Sequence, residues 1–398
     1  MDEKRYVTEA GSDPKENGRK LAELLEQCRQ NGGGTVEVTE GIYAVASLRL
    51  YSRMCLYLRA GAKLVASDRW EDYTDYHVPS TIEYIHSGRV VRMWNLPEHY
   101  FNAVITAIEA DHVSVIGEPG SLINGNNCFD PNGEEKFRGP MGMVFCRCSD
   151  VHLEGYTFQD SSNWSHQLDS CTNVEIANVT VLAGHDGFNV HHCENVRIRD
   201  CTLTTGADCF AGYDARNVYI SGSHLNTSCN GFRYGGENLI VDHCVFEGPG
   251  VYPHRVSGRH NMLYAFEYYS IQEDTIRDVS RNWLITNCEF RNMDGFIHYD
   301  FGDWKESQTN QPLADITVEN FRISGLKKTS LFRGCTQMDS HITSRITFRD
   351  GTIDLAGMEH PVFLETDAAV RLEAENVTVT GGRLTEETKK EEGRRNGR

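Results

Sequence analysis

The sequence predicts an all-β protein that folds as a single right-handed parallel β-helix with an N-terminal capping α-helix. After an N-terminal helical segment, the chain consists of short alternating runs such as "VEIANVTV" and "VRIRDCTL", which are typical of half-buried strands. Asn173, Asn195 and Asn217 each open such a run at an equal interval, which gives a 22-residue period. Because a few short strands cannot bury a face alone, the repeats must stack as coils.

The segments outside the regular repeat have their own signals. Asp13, followed by a proline and an apolar stripe, predicts a cap helix over about residues 14–31. We expect the parallel β-helix domain to cover residues 1–385, with an irregular insertion at about 248–280 that projects as a loop. The charged, aromatic-free segment 386–398 is expected to be disordered.

Composition argues against several classes of partner. The 398 residues carry a net charge of −18, which disfavours nucleic acid and anionic membranes as ligands. The sequence contains no membrane-spanning apolar run and no signal-peptide pattern, so we expect a cytoplasmic location. The 13 cysteines are odd in number and lack the paired spacing of zinc sites, so we expect buried thiols and neither a metal nor a cofactor. The sequence does not determine the oligomeric state.

Two aspartates repeat with the period of the coil. Asp186 in "GHDGFNV" lies one period before Asp208 in "GADCFAG", and Asn230 follows one period after it. A phenylalanine stands two positions after each of them and is expected to stack in the coil interior. Two carboxylates roughly 5 Å apart raise the pKa of one of them. Such a pair on a groove indicates glycosidic-bond cleavage, although capping of turns through backbone N–H groups is an alternative role.

The same register places further side chains on the face of the groove. Asn189 and Arg233 directly follow interior phenylalanines, and extending the period in both directions reaches Trp164 and Arg255. We expect Trp164, Asn189 and Asn230 to contact a sugar. The two arginines are expected to bind an anionic group of the substrate, because the chain is otherwise acidic.

Longer segments extend the pattern, among them "NGGGTVEVTEGIYAVASLRLYSRMCLYLRAGAKLVAS", "VSVIGEPGSLINGNN" and "SSNWSHQLDSCTNVEI". Together with "GHDGF" and "GADCF" they resemble glycoside hydrolase family 28, the polygalacturonase-like enzymes of the pectin-lyase fold. The resemblance implies hydrolysis of an oligosaccharide, with uronate units of the pectin type. It assigns Asp186 to the family's Asn-Thr-Asp-Gly segment and Asp208 to the second acid of its Gly-Asp-Asp-Cys segment.

The chain also departs from the family pattern. The resemblance implies a general acid where Ala207 stands and a histidine where Asn230 stands, and "YPHRV" matches the family's Arg-Ile-Lys segment only in part. The proton donor must then come from elsewhere in the chain. Glu267 in "YAFEYYS" is the first candidate, because aromatic neighbours would raise its pKa. His254 and Asp300, which are also expected to line the groove, are the alternatives.

Three classes of function follow from these residues. A glycosidase with an altered general acid is favoured, because both acids that position water are retained. A lyase or epimerase could instead use Arg233, His254 or Arg255 to remove the proton next to a uronate carboxylate. An inactive glycan-binding solenoid would explain Ala207 as a lost acid. The segments "YPHRVSGRHNMLYAFEYYS" and "GFIHYDFGDW" are expected to wall the groove into a pocket, which fits removal of units from a chain end.

Overall fold

The computed structural model describes residues 4–301, 311–334 and 343–387. In these ranges the chain forms 32 strands, which pair in parallel and wind as successive coils of a right-handed β-helix. The predicted fold class is therefore confirmed. No helix in the described ranges is long and apolar enough to cross a membrane.

The strands stack in three rows, one on each face of the coil. Row A, which carries the candidate site, contains Leu48–Leu50, Ala103–Ile108, Met141–Cys146, His166–Asp169, Phe188–His191, the first parts of Phe210–Ser221 and Phe232–Asp242, Met262–Tyr268, Met293–Asp300, Ser330–Arg333, Val362–Thr366 and Arg383–Glu387. Row B contains Arg5–Val7, Gly34–Val38, Met54–Leu58, Asp111–Gly117, Ser149–Glu154, Thr172–Ala177, Glu194–Arg199 and Arg281–Thr286. It also contains the second parts of Phe210–Ser221 and Phe232–Asp242 and the first parts of Asp315–Ser324, Ser344–Asp354 and Val370–Thr380. Row C contains Gly41–Val45, Ala62–Ala66, Leu122–Asn124, Thr157–Gln159, Thr180–Ala183, Thr202–Thr205, His224–Thr227, Val245–Glu247 and Glu289–Arg291. It also contains the second parts of Asp315–Ser324, Ser344–Asp354 and Val370–Thr380.

A helix closes the N-terminal end of the coil. Helix α1 spans Pro14–Gln30, and the side chain of Asp13 caps it by accepting a hydrogen bond from the backbone N–H of Lys15 at 2.9 Å. Its apolar stripe, which includes Leu21 and Leu25, is buried. The helix thereby covers apolar side chains that the first coil would otherwise leave open to water.

Side chains one coil apart stack as the period of the sequence predicts. The ring centroids of Phe188 and Phe210 lie 5.7 Å apart, those of Phe210 and Phe232 lie 4.7 Å apart, and Phe266 continues the stack at 5.2 Å. These rings are buried in the coil. Since interior side chains alternate with outward ones along a strand, the residue after each phenylalanine points away from the core.

The asparagines that open the repeats form a ladder on the outside of the coil. The side-chain amide of Asn195 donates to Asn173 at 3.3 Å, and that of Asn217 donates to Asn195 at 3.0 Å. Each has a positive φ near 55–58°, a conformation that asparagine tolerates better than most residues. Asparagine recurs here because the backbone of this residue adopts the left-handed conformation in each of these coils. The cysteines in the described ranges are free thiols, most of them buried.

In the described ranges, the segments inserted into the regular coil include residues 67–102, 125–140, 248–261 and 269–280. The first contains helix α2, Gly88–Trp94, and the short 3₁₀ helices Trp70–Asp72 and Glu83–His86. The second contains the 3₁₀ helix Glu134–Lys136.

Two expectations about loops and tails are wrong in part. The predicted insertion at 248–280 does not project as one loop, because Met262–Tyr268 returns to row A and pairs with its neighbours there. The predicted disordered tail is wrong at its start, where Arg383–Glu387 forms a strand. Residues 388–398 lie outside the described residues.

Candidate active site

A cavity of about 450 Å³ lies on row A, where the regular coil meets the inserted segments. It brings together eight of the ten predicted site residues: Trp164, Asp186, Asn189, Asp208, Asn230, Arg233, His254 and Glu267. The other two, Arg255 and Asp300, do not line it.

The two aspartates are joined to the coil by a ladder of hydrogen bonds. Oδ1 of Asp186 accepts from the backbone N–H of Asp208 at 3.1 Å, and Oδ1 of Asp208 accepts from the backbone N–H of Asn230 at 3.0 Å. The side-chain amide of Asn230 also donates to Asp208 at 2.9 Å. Each carboxylate therefore caps a turn of the next coil, and each also lines the cavity. The two aspartates therefore cap turns of the coil, which was the alternative role, and they also lie where reactive acids were expected.

Burial and like charge change the acidity of this pair. Asp186 is only 8% exposed and Asp208 only 5% exposed. Burial, followed by the negative charge of Asp208, raises the pKa of Asp186 to about 7, although Arg138 and Arg233 oppose this shift. At neutral pH Asp186 is therefore partly protonated.

An arginine and a glutamate occupy adjacent coils in row A. Ala211 pairs with Arg233, Arg233 pairs with Glu267, and Glu267 pairs with His298. The guanidinium of Arg233 lies over the ring of Tyr269, 3.8 Å from its centroid. Arg233 forms no ion pair with any carboxylate in the described ranges, yet it lines the cavity. The charge of Arg233 therefore acts on Asp186, Asp208 and Glu267 across the cavity, although it forms no ion pair with them.

Glu267 is held in place by a histidine. Its Oε1 lies 2.9 Å from Nδ1 of His298, and both side chains are only 13% exposed. Burial raises the pKa of Glu267, while the hydrogen bond from His298 and the charge of Arg233 oppose the shift. A raised pKa agrees with the sequence-based expectation for a proton donor at this position. His298 belongs to the predicted wall segment "GFIHYDFGDW" and lines the cavity beside Tyr264.

The predicted position of Arg255 is wrong, because the coil after Arg233 is longer than one period of the repeat. Row A continues from Arg233 directly to Glu267, and Arg255 falls in the inserted segment 248–261 between them. Its exposed side chain donates to Oδ1 of Asn127 at 2.7 Å and lies 4.7 Å from the ring centroid of Phe129. Arg255 therefore ties one inserted segment to another outside the cavity.

The expectation that Asp300 lines the groove is also wrong. Its carboxylate forms an ion pair with Arg333 at 3.1 Å, at a position outside the cavity lining. His254 does line the cavity, and its Nδ1 lies 3.1 Å from the hydroxyl oxygen of Ser257. Burial and the charge of Arg259 lower the pKa of His254, so it is neutral at neutral pH.

Sequence reasoning missed a charged cluster in the segment 125–140. Glu134 and Arg138 are almost fully buried and line the cavity together with Glu135. Arg138 forms an ion pair with Glu135 at 2.7 Å, and the hydroxyl of Tyr100 donates to Glu134 at 3.0 Å. Burial raises the pKa of Glu134, against the influence of Arg138. The only feature of the sequence that marks this cluster is the segment "PNGEEKFRG", which is rich in charged residues and lies between two strand-like runs.

An aromatic wall also comes from an inserted segment. Tyr84 and Trp94, from residues 67–102, line the cavity and contact each other edge to face with centroids 5.5 Å apart. This wall is held by Asp274, whose Oδ2 accepts from the backbone N–H of Glu83 at 2.9 Å. His192 lies 3.5 Å from Oδ1 of Asp274, so the wall is attached to the coil itself.

The cavity brings together groups that can exchange protons and groups that can hydrogen-bond a polar ligand. It combines three carboxylates on the coil with an arginine that forms no ion pair among the described residues. No group of His, Cys, Asp and Glu side chains in the described ranges is arranged to hold a metal ion.

Residues 96–232, which include both aspartates, match the family model described as glycosyl hydrolases family 28. The resemblance to glycoside hydrolase family 28 is confirmed over this segment. The family match supports a glycosidase. No curated protein matches the sequence.

Solved structures show the same fold at low identity. A hyperthermoactive exopolygalacturonase from Thermotoga maritima is 14% identical, with a TM-score of 0.63 over 96% of this chain and 93% of that chain. The family 28 exopolygalacturonase of Yersinia enterocolitica is also 14% identical, with a TM-score of 0.62 over 96% of this chain and 78% of that chain. The A-module of the mannuronan C-5 epimerase AlgE6 from Azotobacter vinelandii is 12% identical, with a TM-score of 0.55 over 96% of this chain and 99% of that chain.

Proposed function

We propose that this protein is a glycosidase that hydrolyses a uronate-containing oligosaccharide of the pectin type. The observation that carries the proposal is the grouping of Asp186, Asp208 and Glu267 around Arg233 in one cavity. Family 28 similarity over residues 96–232 supports the same reaction class.

Asp186 and Asp208 direct the attacking water. Both are fixed by hydrogen bonds to the backbone of the coil or to its neighbours, so their free lone pairs point into the cavity in a constant geometry. One of the two acids must be ionised to accept a proton from water. Because the pKa of Asp186 is raised to about 7, Asp186 is partly ionised near neutral pH.

Glu267 supplies the proton to the leaving oxygen. Burial raises its pKa, which favours the protonated form that a general acid needs. Glu267 lies two coils beyond the coil that carries Asp208, which is ~10 Å along the axis between backbones. If the side chains of Asp208 and Glu267 both point towards one substrate, the distance between their carboxyl groups fits the ~6.5–9.5 Å of inverting glycosidases.

Arg233 selects the anionic substrate. Its half-buried guanidinium forms no ion pair with a carboxylate in the described ranges, so its donors stay available, and a uronate carboxylate matches their planar geometry. The stacking on Tyr269 fixes the direction in which those donors point. The substrate unit bound nearest the three acids is therefore a uronate.

Product analysis on oligogalacturonates tests the proposal. The wild-type protein should release new reducing ends without the ultraviolet absorbance of an unsaturated uronate, and Asp208→Asn should abolish the release. An unsaturated product would show a lyase instead. A change in sugar configuration without cleavage would show an epimerase. Calorimetric binding without any product would show a glycan-binding protein, and each of these three results would overturn the proposal.

A further inference from the structure

A buried ionic cluster lies next to the cavity, where the segment 269–280 meets the coil. His192 lies between two carboxylates: its Nδ1 is 2.9 Å from Oδ2 of Asp214, and its Nε2 is 3.5 Å from Oδ1 of Asp274. Both aspartates are buried and lie outside the lining of the cavity. Arg277 balances the charge of Asp214 with an ion pair at 2.6 Å. Since a buried carboxylate is costly without a cation, the geometry favours a protonated His192 facing Asp274.

Asp274 joins this cluster to the aromatic wall of the cavity. Its Oδ2 accepts a hydrogen bond from the backbone N–H of Glu83 at 2.9 Å, and the next residue along the chain is Tyr84, which lines the cavity. The hydroxyl of Thr275 donates to the carboxylate of Glu83 at 3.1 Å. The segment 67–102 is therefore held to the coil through the residues around Asp274.

A buried tyrosine joins the same cluster to Arg233. The hydroxyl of Tyr213 donates to Oδ2 of Asp274, and its ring contacts that of His192 edge to face, with centroids 5.5 Å apart. On its other side Tyr213 contacts the ring of Tyr269, with centroids 5.6 Å apart. Tyr269 in turn carries the guanidinium of Arg233 over its face. Because buried side chains are closely packed, a shift of Asp274 moves these rings and changes the direction of Arg233.

The charge of His192 responds to pH in a range that can be measured. Although burial lowers it, the hydrogen bonds and charges of Asp214 and Asp274 raise the pKa of His192 from 6.5 to about 9. A group whose pKa is raised by folding stabilises the folded protein fully below its unfolded pKa, and this contribution is lost as pH rises through the folded pKa. The contact between His192 and Asp274 should therefore hold at neutral pH and weaken above about pH 9.

Three other groups around His192 do not titrate between pH 7 and about pH 10. Burial raises the pKa of Asp214, but hydrogen bonds from His192 and Arg277 outweigh it and lower that pKa below its usual value. Burial raises the pKa of Tyr213 well above its usual value, and burial lowers that of His191 well below its own. The guanidinium of Arg277 stays charged throughout this range. A change in this range therefore reports on the charge of His192.

We propose that His192 and Asp274 are positioning residues of the candidate site, which hold the segments 67–102 and 269–280 in the arrangement that directs Tyr84 and Arg233 at the ligand. Neither residue touches the ligand, because both act through the aromatic rings that separate them from the cavity. Loss of the proton from His192 loosens the wall and lowers the affinity for an anionic ligand. The inference rests on the proposed function for the identity of that ligand, whereas the contact with the wall is independent of it.

Amide hydrogen exchange at pH 7 tests the contact with the wall. His192→Gln should lower protection about tenfold over residues 82–94 and 269–277, because Asp274 then faces a neutral side chain, and should leave the coil strand Thr172–Ala177 unchanged. The wild-type protein should show the same local loss between pH 7 and pH 10. His224→Gln is the matched control, since His224 lies 3.1 Å from Glu247 in row C, and it should change neither segment. Thermal unfolding identifies any variant that fails to fold.

A double variant separates charge balance from a purely structural role of the histidine. In Asp274→Asn the side-chain oxygen can still accept from Glu83 and Tyr213, but the buried charge is gone. Combining it with His192→Gln should restore most of the protection that His192→Gln alone loses, since Asp274 no longer leaves a carboxylate opposite a neutral group. A double variant as poorly protected as His192→Gln would contradict the proposal. So would wild-type protection that stays constant from pH 7 to pH 10.

Kinetics on an oligogalacturonate test the link to the ligand. His192→Gln should raise KM about fivefold and change kcat less than about twofold, because the acids of the coil are untouched. A loss of kcat at unchanged KM would refute a role in directing Arg233. If the wild-type protein neither binds nor cleaves oligogalacturonates, the proposed function fails, and the exchange measurements still decide whether His192 and Asp274 hold the wall.

Discussion

The candidate site is built from two kinds of segment, the regular coil and the insertions, and they contribute different groups of residues. The regular coil supplies Asp186, Asp208 and Arg233, each fixed by strand pairing or by hydrogen bonds to the next coil. The inserted segments supply the walls, including Glu134 and His254, from loops with no fixed period. If the proposed function holds, the coil positions the reactive groups, whereas the insertions shape the access of the substrate to them.

This division has a physical cause. Residues in row A are spaced by the distance between hydrogen-bonded strands, so a side chain in one coil has a fixed neighbour in the next. An inserted segment is free of that constraint, and its length can change without disturbing the coils. Substitutions in the coil should therefore affect catalysis most strongly, and substitutions in the insertions should affect the binding of substrate.

The largest expected effect is on the two aspartates of the coil. Asp186→Asn and Asp208→Asn should each reduce kcat on an oligogalacturonate by at least ~100-fold, the range for loss of an acid or base. Stability should change little, because an asparagine side-chain oxygen can still accept the backbone N–H of the next coil. Steady-state kinetics and urea unfolding measure the two quantities.

Asp208→Ala separates the capping role from the chemical role. It should lose activity and also about 1–3 kcal/mol of unfolding free energy, since the backbone N–H of Asn230 loses its acceptor. Asp200→Asn is the matched control, because Asp200 is an aspartate at a coil turn outside the cavity. Full activity in Asp208→Asn would contradict the assigned role.

A smaller effect that depends on the substrate is expected at Glu267. Glu267→Gln should lower kcat on a natural glycoside by roughly 100-fold, yet largely retain activity on an aryl uronide whose leaving group needs no proton. Glutamine can still accept the hydrogen bond from His298, so the side chain should stay in place. The measurement is the ratio of the rates on the two substrates, and the surface variant Glu289→Gln provides the control value of this ratio. Equal losses on both substrates would remove Glu267 from the mechanism.

The period of the sequence was sufficient to predict the regular part of the molecule. It placed Asp186, Asp208 and Asn230 in one column and the phenylalanines in one interior stack, as the structure shows. A fixed period translates directly into spatial neighbours because every coil repeats the same strand pairing. The confirmed family resemblance relied on the same segments.

The period failed where a coil contains an insertion. Extending it past Arg233 led to Arg255, whereas the true neighbour is Glu267, because the length of an inserted loop is not encoded in the repeat. Glu267 was found by a different signal, its aromatic surroundings. Glu134 and Arg138 had no periodic signal at all, and only folding of the segment 125–140 against the coil brings them to the cavity.

The smallest expected effect concerns Arg255, and it tests whether an insertion acts only through shape. The segment 248–261 lies so close to the coil that a Cβ atom on Gly184 would clash with the guanidinium of Arg255. At its far end Arg255 is held by Asn127 and Phe129. Arg255→Ala should release this contact, loosen the loop that carries His254, and raise KM about threefold with little change in kcat, an effect of under ~1 kcal/mol.

Asn127→Gly provides the matched test, since Asn127 has a φ of 47° that glycine adopts without strain. It removes the same hydrogen bond from the opposite side, so the double variant should be no worse than either single variant. Amide hydrogen exchange should increase over residues 250–257 in both. Suppose instead that Arg255→Ala lowers affinity for uronates alone, in a salt-dependent way, while Asn127→Gly has no effect. Arg255 would then bind the substrate carboxylate directly, and the distinction between a reactive coil and shaping insertions would not hold at this position.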